Sequence, residues 1–213
     1  MAEGMNKAGS GEIEYFYSIR SSYTYLGAQR LYELARKYGR RVTHRPALLS
    51  IVVPAAGGVP FENRSKAWWR MQERDMERWG DYLGISIIPD PVHHYGTMEL
   101  PSGLVAAAQD VVQSGGQGDV DRLSFEILAA LWRDDTDIAD PAVTDPLCAA
   151  CGFDAEELRG LALGEAAQAR VKANSREMVE RGYIGAPTYV VDGEAFYGQD
   201  RLMFVERALQ AAS

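Results

Sequence analysis

The chain has 213 residues, 46% of them hydrophobic, and its 22 Lys and Arg against 30 Asp and Glu give a formal net charge of −8. This composition is typical of a globular protein that buries its own core without disulfides. The acidic balance disfavours nucleic acid as a partner, because phosphate binding depends on clustered Lys and Arg. No apolar run approaches the roughly 20 residues that span a bilayer, and no apolar leader opens the chain. We expect a cytoplasmic protein that binds neither nucleic acid nor membrane.

The first elements predict a β-α-β unit. Residues 12–18 alternate acidic and apolar side chains and then become aromatic, which favours a strand. Apolar side chains then recur at spacings of three and four up to Tyr38, and Gly39 follows. This pattern predicts a helix with a Ser N-cap and a Gly at its end. Residues 40–45 lead into the apolar run 47–53, which we predict to be the second strand.

A mostly helical block extends from about residue 63 to residue 181. Its helices are predicted for a segment that ends at Gly84 and for residues 102–114, 119–132, 146–152, 155–163 and 164–181. Two short apolar runs follow, TYVVDG and EAFYG, which predict a β-hairpin that turns at Asp192 and Gly193. Residues 200–212 predict a final amphipathic helix. Its inward side chains are predicted to be Leu202, Phe204, Val205 and Leu209.

This order of elements predicts an α/β chain with a thioredoxin-like fold and a large all-α insertion. We divide it into three parts. Residues 1–11 are a disordered N-terminal tail, and residues 12–62 and 183–213 form the thioredoxin-like domain. Residues 63–182 form the helical insertion, whose last helix packs back on the thioredoxin-like domain.

Ser21 and Ser22 lie at the turn between the first strand and the first helix. A helix N-terminus presents unpaired N–H groups and partial positive charge, which stabilise an anion such as a thiolate. Redox-active thioredoxin folds carry a Cys-x-x-Cys pair at this turn, and its absence here excludes dithiol exchange at the turn. Two interpretations remain: the hydroxyls hold the thiolate of another molecule, or they only cap the helix.

Three segments, YFYSIRSSYTYLGAQRL, GAPTYVV and YGQDRL, occur in this order around the helical block. They resemble 2-hydroxychromene-2-carboxylate isomerases and the related kappa-class glutathione transferases, over roughly residues 13–210. The resemblance implies a DsbA-like thioredoxin fold and glutathione as cofactor. It also implies that Ser21 is the catalytic hydroxyl, hydrogen-bonded to the glutathione sulfur. The family usually has Pro where this chain has Ser22, so Ser22 is a second candidate for the same role.

The resemblance also suggests where the rest of glutathione binds. Ala186 and Pro187 fit the family's cis-proline loop, in which the residue before Pro offers its backbone to the cysteinyl part of glutathione. Gln199 and Asp200 open the last helix, whose free N–H groups could bind the γ-glutamyl carboxylate while Asp200 pairs with the ammonium group. A simple N-cap role is the alternative for Asp200.

Cys148 and Cys151 form the only Cys-x-x-Cys motif of the chain. The motif lies in the helical block rather than after a buried strand. A zinc site would need two further ligands from a chain that has three histidines. We therefore predict two buried or half-buried helix cysteines and no metal site.

Several aromatic residues of the helical block have two possible roles. Trp68, Trp69 and Tyr95 are interpreted as core, with the wall of an aromatic substrate site as the alternative. His93 and His94 are neighbours, so in an extended segment they would point to opposite sides and could not share one pocket. We assign neither histidine a catalytic role.

The resemblance implies a glutathione-dependent isomerase that acts on a small aromatic-derived substrate. The bound thiolate would add reversibly, allow a bond to rotate or a ring to open, and leave unchanged. A kappa-like transferase, in which glutathione stays attached to its electrophile, is the first alternative. A non-catalytic protein that binds a thiol peptide or protein in the same groove is the second. The resemblance also favours a homodimer.

Overall fold

A computed structural model describes residues 11–211, so nearly all of the predicted N-terminal tail lies outside the described residues. Within the described range, no helix is both long enough and apolar enough to cross a membrane. The described strands form one mixed sheet in the spatial order β2-β1-β3-β4. Their bounds are β1 Glu12–Tyr17, β2 Arg41–Pro46, β3 Thr188–Val191 and β4 Glu194–Tyr197.

Helices occupy most of the rest of the described chain. Their bounds are α1 Ser22–Lys37, α2 Leu49–Ala55, α3 Lys66–Leu83, α4 Glu99–Gln113, α5 Val120–Trp132, α6 Pro141–Ala150, α7 Ala155–Leu163, α8 Glu165–Glu180 and α9 Leu202–Ala211. Strand β1 pairs parallel with β2 and antiparallel with β3, which forms the predicted hairpin with β4. This arrangement confirms the predicted thioredoxin-like fold with its helical insertion.

The prediction of the second strand was wrong by about six residues. Strand β2 is the charged segment Arg41–Pro46, and the apolar run after it forms α2. An edge strand tolerates charged side chains because one of its sides has no neighbouring strand, and Arg45 pairs with Glu14 of β1 at 2.9 Å. In α2, the buried residues Leu49, Val52 and Val53 recur at helical rather than strand spacing.

The helical insertion shares its core with the sheet. Helix α4 packs on β2, α5 packs on α1, and α8 packs on both α2 and β2. One continuous cluster of buried apolar residues includes Ile13 on β1, Leu104 on α4 and Leu209 on α9. The final helix buries one face as predicted, except that Phe204 is 47% exposed. At about 100° per residue it falls outside the face that carries the buried Leu202 and Leu209.

A chain of hydrogen-bonded polar groups, of which only Asp121 is partly exposed, ties α5 to the sheet. The Tyr17 hydroxyl lies 2.7 Å from Ser124 Oγ and 3.0 Å from His44 Nδ1. The other ring nitrogen of His44 lies 2.8 Å from a carboxylate oxygen of Asp121. Burial raises the pKa of Tyr17, so its hydroxyl keeps its proton. Because each polar group has a partner, the network holds the insertion against β1 and β2 without an orphaned donor.

Candidate functional site

A cavity of about 280 Å³ opens where the turn between β1 and α1 meets the loop before β3 and the N-terminal half of α3. It brings together Ser21, Ser22 and Ala186, which the sequence analysis placed in one site. None of the described residues that line it is acidic. The lining also includes the aromatic side chains Tyr23, Phe61, Trp68, Trp69, Trp132 and Tyr197.

Ser21 is the N-cap residue of α1 and also points beyond its own helix. Its Oγ accepts a hydrogen bond from the Thr24 backbone N–H at 3.3 Å and donates one to the Ala186 carbonyl at 3.2 Å. Ser22 is the first residue of α1, is buried, and makes no side-chain hydrogen bond to any residue that the structure describes. Both hydroxyls thus lie at the positive end of α1, and only that of Ser21 is held by partners.

The loop before β3 forms the opposite wall of the cavity. The Ala186–Pro187 peptide bond is cis. Ala186 lines the cavity, whereas Pro187 lies behind it and accepts a 2.9 Å hydrogen bond from the Gly198 N–H. The Thr188 hydroxyl donates to the Gly185 carbonyl at 2.7 Å. These bonds fix the loop from behind and leave the Ala186 carbonyl facing Ser21.

Gln199 and Asp200 do not line this cavity. Gln199 is buried, and its Oε1 accepts a 2.7 Å hydrogen bond from the Arg30 guanidinium. Asp200 pairs with Arg201 at 2.6 Å, and the residue that caps this short 3-10 turn is Gly198 rather than Asp200. Both side chains are therefore engaged by neighbouring arginines outside the cavity.

Two arginines give the cavity a positive lining. Arg64 lies over the Phe61 ring at 4.1 Å and over the Trp68 ring at 3.9 Å, measured to the ring centroids. The Arg20 guanidinium donates to the Gly96 carbonyl at 2.5 Å. Burial lowers the pKa of both arginines, although an arginine keeps its charge in proteins. Since none of the described residues that line the cavity is acidic, the arrangement favours an anionic ligand.

His94 is a site residue that the sequence analysis did not identify. The segment Val92–Tyr95 is a 3-10 helix rather than extended, and it places His94 in the cavity wall. Its Nε2 donates a 3.1 Å hydrogen bond to the carbonyl of Arg20, since that oxygen can only accept. Burial lowers the pKa of His94. His93 faces elsewhere and bonds with Asp135, so the two histidines do point to different sides.

The aromatic residues of the block divide between wall and surface. Trp68 and Trp69 line the cavity. Their position therefore fits the alternative, a wall of the site, better than the core position that we predicted. Tyr95 is 64% exposed and belongs to neither. Trp132 of α5 lines the cavity and donates its indole N–H to the Ile19 carbonyl at 3.1 Å. No periodicity marks Trp132 as different from the other buried residues of α5.

Cys148 and Cys151 lie away from the cavity, at the end of α6. Both are buried free thiols, as predicted. Burial raises the pKa of Cys148 to about 12 and that of Cys151 to about 11. A thiol with such a pKa is a poor nucleophile at neutral pH because little of it is ionised.

Comparisons with known proteins identify the family of this chain. The family model of the DsbA-like thioredoxin domain matches residues 12–210. The protein named 2-hydroxychromene-2-carboxylate isomerase of Pseudomonas putida is 24% identical over 92% of this chain and 93% of its own. Its namesake from Sphingobium xenophagum is 25% identical over 92% of this chain and 97% of its own.

Solved structures share the fold. A structure of 2-hydroxychromene-2-carboxylate isomerase has a TM-score of 0.78 and 22% identity, covering 94% of this chain and 95% of its own. That of the cytosolic disulfide reductase DsbM from Pseudomonas aeruginosa with GSH has a TM-score of 0.66 and 18% identity, covering 94% and 96%. These matches confirm the resemblance seen in the three sequence segments. The chain belongs to the DsbA-like thioredoxin family.

Proposed function

We propose that this protein is a glutathione-dependent isomerase of the 2-hydroxychromene-2-carboxylate type. The observation that carries the proposal is the position of Ser21, a hydroxyl where dithiol enzymes have a thiol, at the N-terminus of α1 and opposite the Ala186 carbonyl. A site built this way has no redox group of its own but can hold the thiolate of another molecule. The isomerase name of the relatives from Pseudomonas putida and Sphingobium xenophagum supports the same activity.

The groups around the cavity fit glutathione, which is anionic and has a peptide backbone. We assign the cysteinyl backbone to Ala186, whose peptide groups can pair with it as an added strand would. The hydroxyls of Ser21 and Ser22 are assigned to the sulfur. We assign the γ-glutamyl end to the backbone N–H groups of Gln199 and Asp200, because the Gln199 side chain is already bonded to Arg30. Neither residue lines the cavity, so this end of glutathione would extend beyond it. The lining that the structure describes contains no acidic side chain, which favours binding of this anion.

Glutathione bound here would supply a thiolate nucleophile for reversible addition to the substrate. The contribution of Ser21 is to favour that ionised form. A free thiol with a pKa near 8.5 is only about 3% ionised at pH 7, and lowering its pKa by about two units corresponds to about 2.7 kcal/mol. For this the Ser21 hydroxyl would turn its single proton from the Ala186 carbonyl, which then accepts from the cysteinyl N–H, to the sulfur. A hydrogen bond to the charged sulfur would supply roughly 1.5 to 3 kcal/mol. The N-terminus of α1 adds about 0.3 to 1 kcal/mol.

The aromatic wall is suited to a flat organic substrate. Trp68 and Trp69 face the cavity from α3, and Phe61 lies beside Trp69 with its ring centroid 6.1 Å away. Stacking on these rings would orient an aromatic-derived molecule next to the serine hydroxyls and exclude water from them. We therefore propose a small aromatic substrate.

A kappa-like glutathione transferase would use the same residues and differ only in its product. A non-catalytic protein would bind a thiol peptide there without turnover. The amount of glutathione consumed separates these functions. In an assay with 2-hydroxychromene-2-carboxylate and glutathione, we expect isomerisation with no net loss of glutathione. Stoichiometric consumption with an electrophile would indicate the transferase, and binding without turnover would indicate the third function.

The serine assignment is tested by ultraviolet titration of the bound thiolate. Ser21→Ala is expected to raise the thiol pKa and slow turnover by about tenfold to a hundredfold, while glutathione still binds through the backbone. Ser22→Ala is the matched variant and is expected to have a smaller effect. If the thiol pKa shifts with Ser22→Ala and not with Ser21→Ala, Ser22 is the hydrogen-bond partner of the sulfur. If neither variant shifts the pKa, the proposed hydroxyl mechanism is wrong.

A further inference from the structure

A second cavity, of about 260 Å³, adjoins the first. Neither Ser21 nor Ala186 lines it, so it lies beside the proposed thiol site rather than within it. The walls of both cavities include Arg20, Leu49, Val53 and Phe61. Arg20 is thus the one cationic side chain, among the described residues, that borders both spaces.

The hydrogen bonds of Arg20 are incomplete. One terminal nitrogen of its guanidinium donates to the Gly96 carbonyl, whereas its Nε is buried and has no hydrogen-bond partner among the described residues. No described carboxylate lies within ion-pair distance of the guanidinium. Leaving a buried donor unsatisfied costs free energy, and charged donors cost more than neutral ones. The other terminal nitrogen, Nη1, also has no partner among the described residues and, unlike Nε, is not fully buried, so an anion in the adjoining space can reach it.

We propose that Arg20 is a specificity-determining residue that binds the carboxylate of a second small-molecule ligand at the junction of the two cavities. The planar guanidinium presents N–H groups in a fork that matches a carboxylate. The apolar surfaces of Leu49 and Phe61 on the same junction provide contact for the organic part of the ligand. The inference rests on the proposed function in so far as this ligand is taken to be the reactant of bound glutathione.

Arg64 is less suited to the same role. It borders only the first cavity, its guanidinium is stacked on Phe61 and Trp68, and its Nε donates to the Val59 carbonyl at 3.0 Å. Arg20 keeps a free donor because it is constrained at one nitrogen only.

Glu62 is the acidic group that faces Arg20 from the second cavity. Burial lowers the pKa of Arg20, and the charge of Glu62 raises it by a smaller amount. The two groups nevertheless form no ion pair. Glu62 is exposed. Because Glu62 does not pair with Arg20, its main effect on a bound carboxylate would be repulsion. Removing the charge of Glu62 therefore offers an independent test.

The test is isothermal titration calorimetry of the purified protein, without glutathione, with benzoate and with its neutral counterpart benzamide. We expect benzoate to bind at least tenfold more tightly than benzamide. Arg20→Gln is expected to weaken benzoate binding at least tenfold and to leave benzamide binding within twofold. Arg64→Gln, the matched control, is expected to weaken benzoate binding by threefold or less. Glu62→Gln is expected to strengthen it about twofold, and this variant carries the test if Arg20→Gln does not fold.

Three results would overturn the proposal. If Arg20→Gln weakens the binding of benzoate and of benzamide equally, Arg20 does not recognise the charge of the carboxylate. If Arg64→Gln weakens benzoate binding strongly and Arg20→Gln does not, Arg64 rather than Arg20 binds the carboxylate. If Arg20→Gln weakens glutathione tenfold but leaves its glycine ethyl ester unaffected, Arg20 binds the glycyl carboxylate of glutathione instead. Failure of the proposed function would appear separately, as absent isomerase activity with intact benzoate binding.

Discussion

The Ser21 hydroxyl donates a 3.2 Å hydrogen bond to the carbonyl of Ala186, which lies 165 residues further along the chain. The bond joins the N-terminus of α1 to the loop before β3, two segments separated by the whole helical insertion. A serine that only caps its helix would need no partner beyond Thr24. The position of this hydroxyl between its own helix and a distant carbonyl is the feature from which the proposed chemistry follows.

Ser21→Ala should also destabilise the protein, because Ser21 caps α1 with its side chain. Loss of an N-cap hydroxyl costs about 1 kcal/mol, within a range of about 0.5 to 2. Urea unfolding would measure the difference. Ser22→Ala, which removes a hydroxyl without a hydrogen-bond partner in the described structure, should change the unfolding free energy less. The reverse order of the two effects would contradict the capping geometry.

Gly27 allows α1 to pack closely against the sheet and the last 3-10 turn. A Cβ at this position would lie 2.6 Å from the Tyr189 hydroxyl and 2.9 Å from Gln199 Cβ. Gly27→Ala should therefore lower the unfolding free energy by about 1 to 3 kcal/mol through overpacking. Gly160→Ala is the control, since nothing lies within 4 Å of a Cβ there in α7. It should raise stability by about 0.5 to 1 kcal/mol, and destabilisation by both variants would contradict this contrast.

The contributions of His93 and His94 to the unfolding free energy should depend on pH in opposite directions. Burial holds the pKa of His94 below 6.5 in the folded state, so its contribution is present above pH 6.5 and is lost as pH falls toward the folded value. The hydrogen bond to Asp135 raises the pKa of His93. Its contribution is complete below pH 6.5 and is lost as pH rises through the folded value.

Urea unfolding of two single variants between pH 5.5 and 7.5 tests this opposition. His94→Gln should reduce the loss of stability on acidification. His93→Gln should remove a gain on acidification and so make that loss steeper. A change of the same sign in both variants would show that one of the two pKa shifts has the wrong direction.

The two cysteines should react slowly in the native protein. With their pKa values raised to about 12 and about 11, they should react with a disulfide reagent at pH 8 at least a hundredfold more slowly than in the unfolded chain. Replacing both Cys148 and Cys151 with Ser should keep isomerase activity within about threefold and lower stability, because two hydroxyls would be buried. Loss of activity in a folded double variant would give the pair a functional role that the structure does not suggest.

Much of the fold and part of the candidate site could be predicted from local sequence patterns. The aromatic strand, the capped helix behind it and the Asp-Gly hairpin are specified by residues close together in the chain, and such short-range preferences survive in the folded protein. Ser21 and Ser22 could be found for the same reason, since a helix N-terminus is a local feature. Ala186 was found through a segment that resembles a known family.

Other features depended on contacts between distant segments. The choice between strand and helix for residues 41–55 followed from which segment pairs with β1, because an apolar run of that length is compatible with either. The turn that carries Arg20 is held by Trp132, His94 and Gly96, all from the insertion. Whether the helix-opening residues Gln199 and Asp200 face the cavity was likewise decided by their neighbours Arg30 and Arg201. A side chain's local pattern does not specify its distant partner, and packing alone brought these groups together.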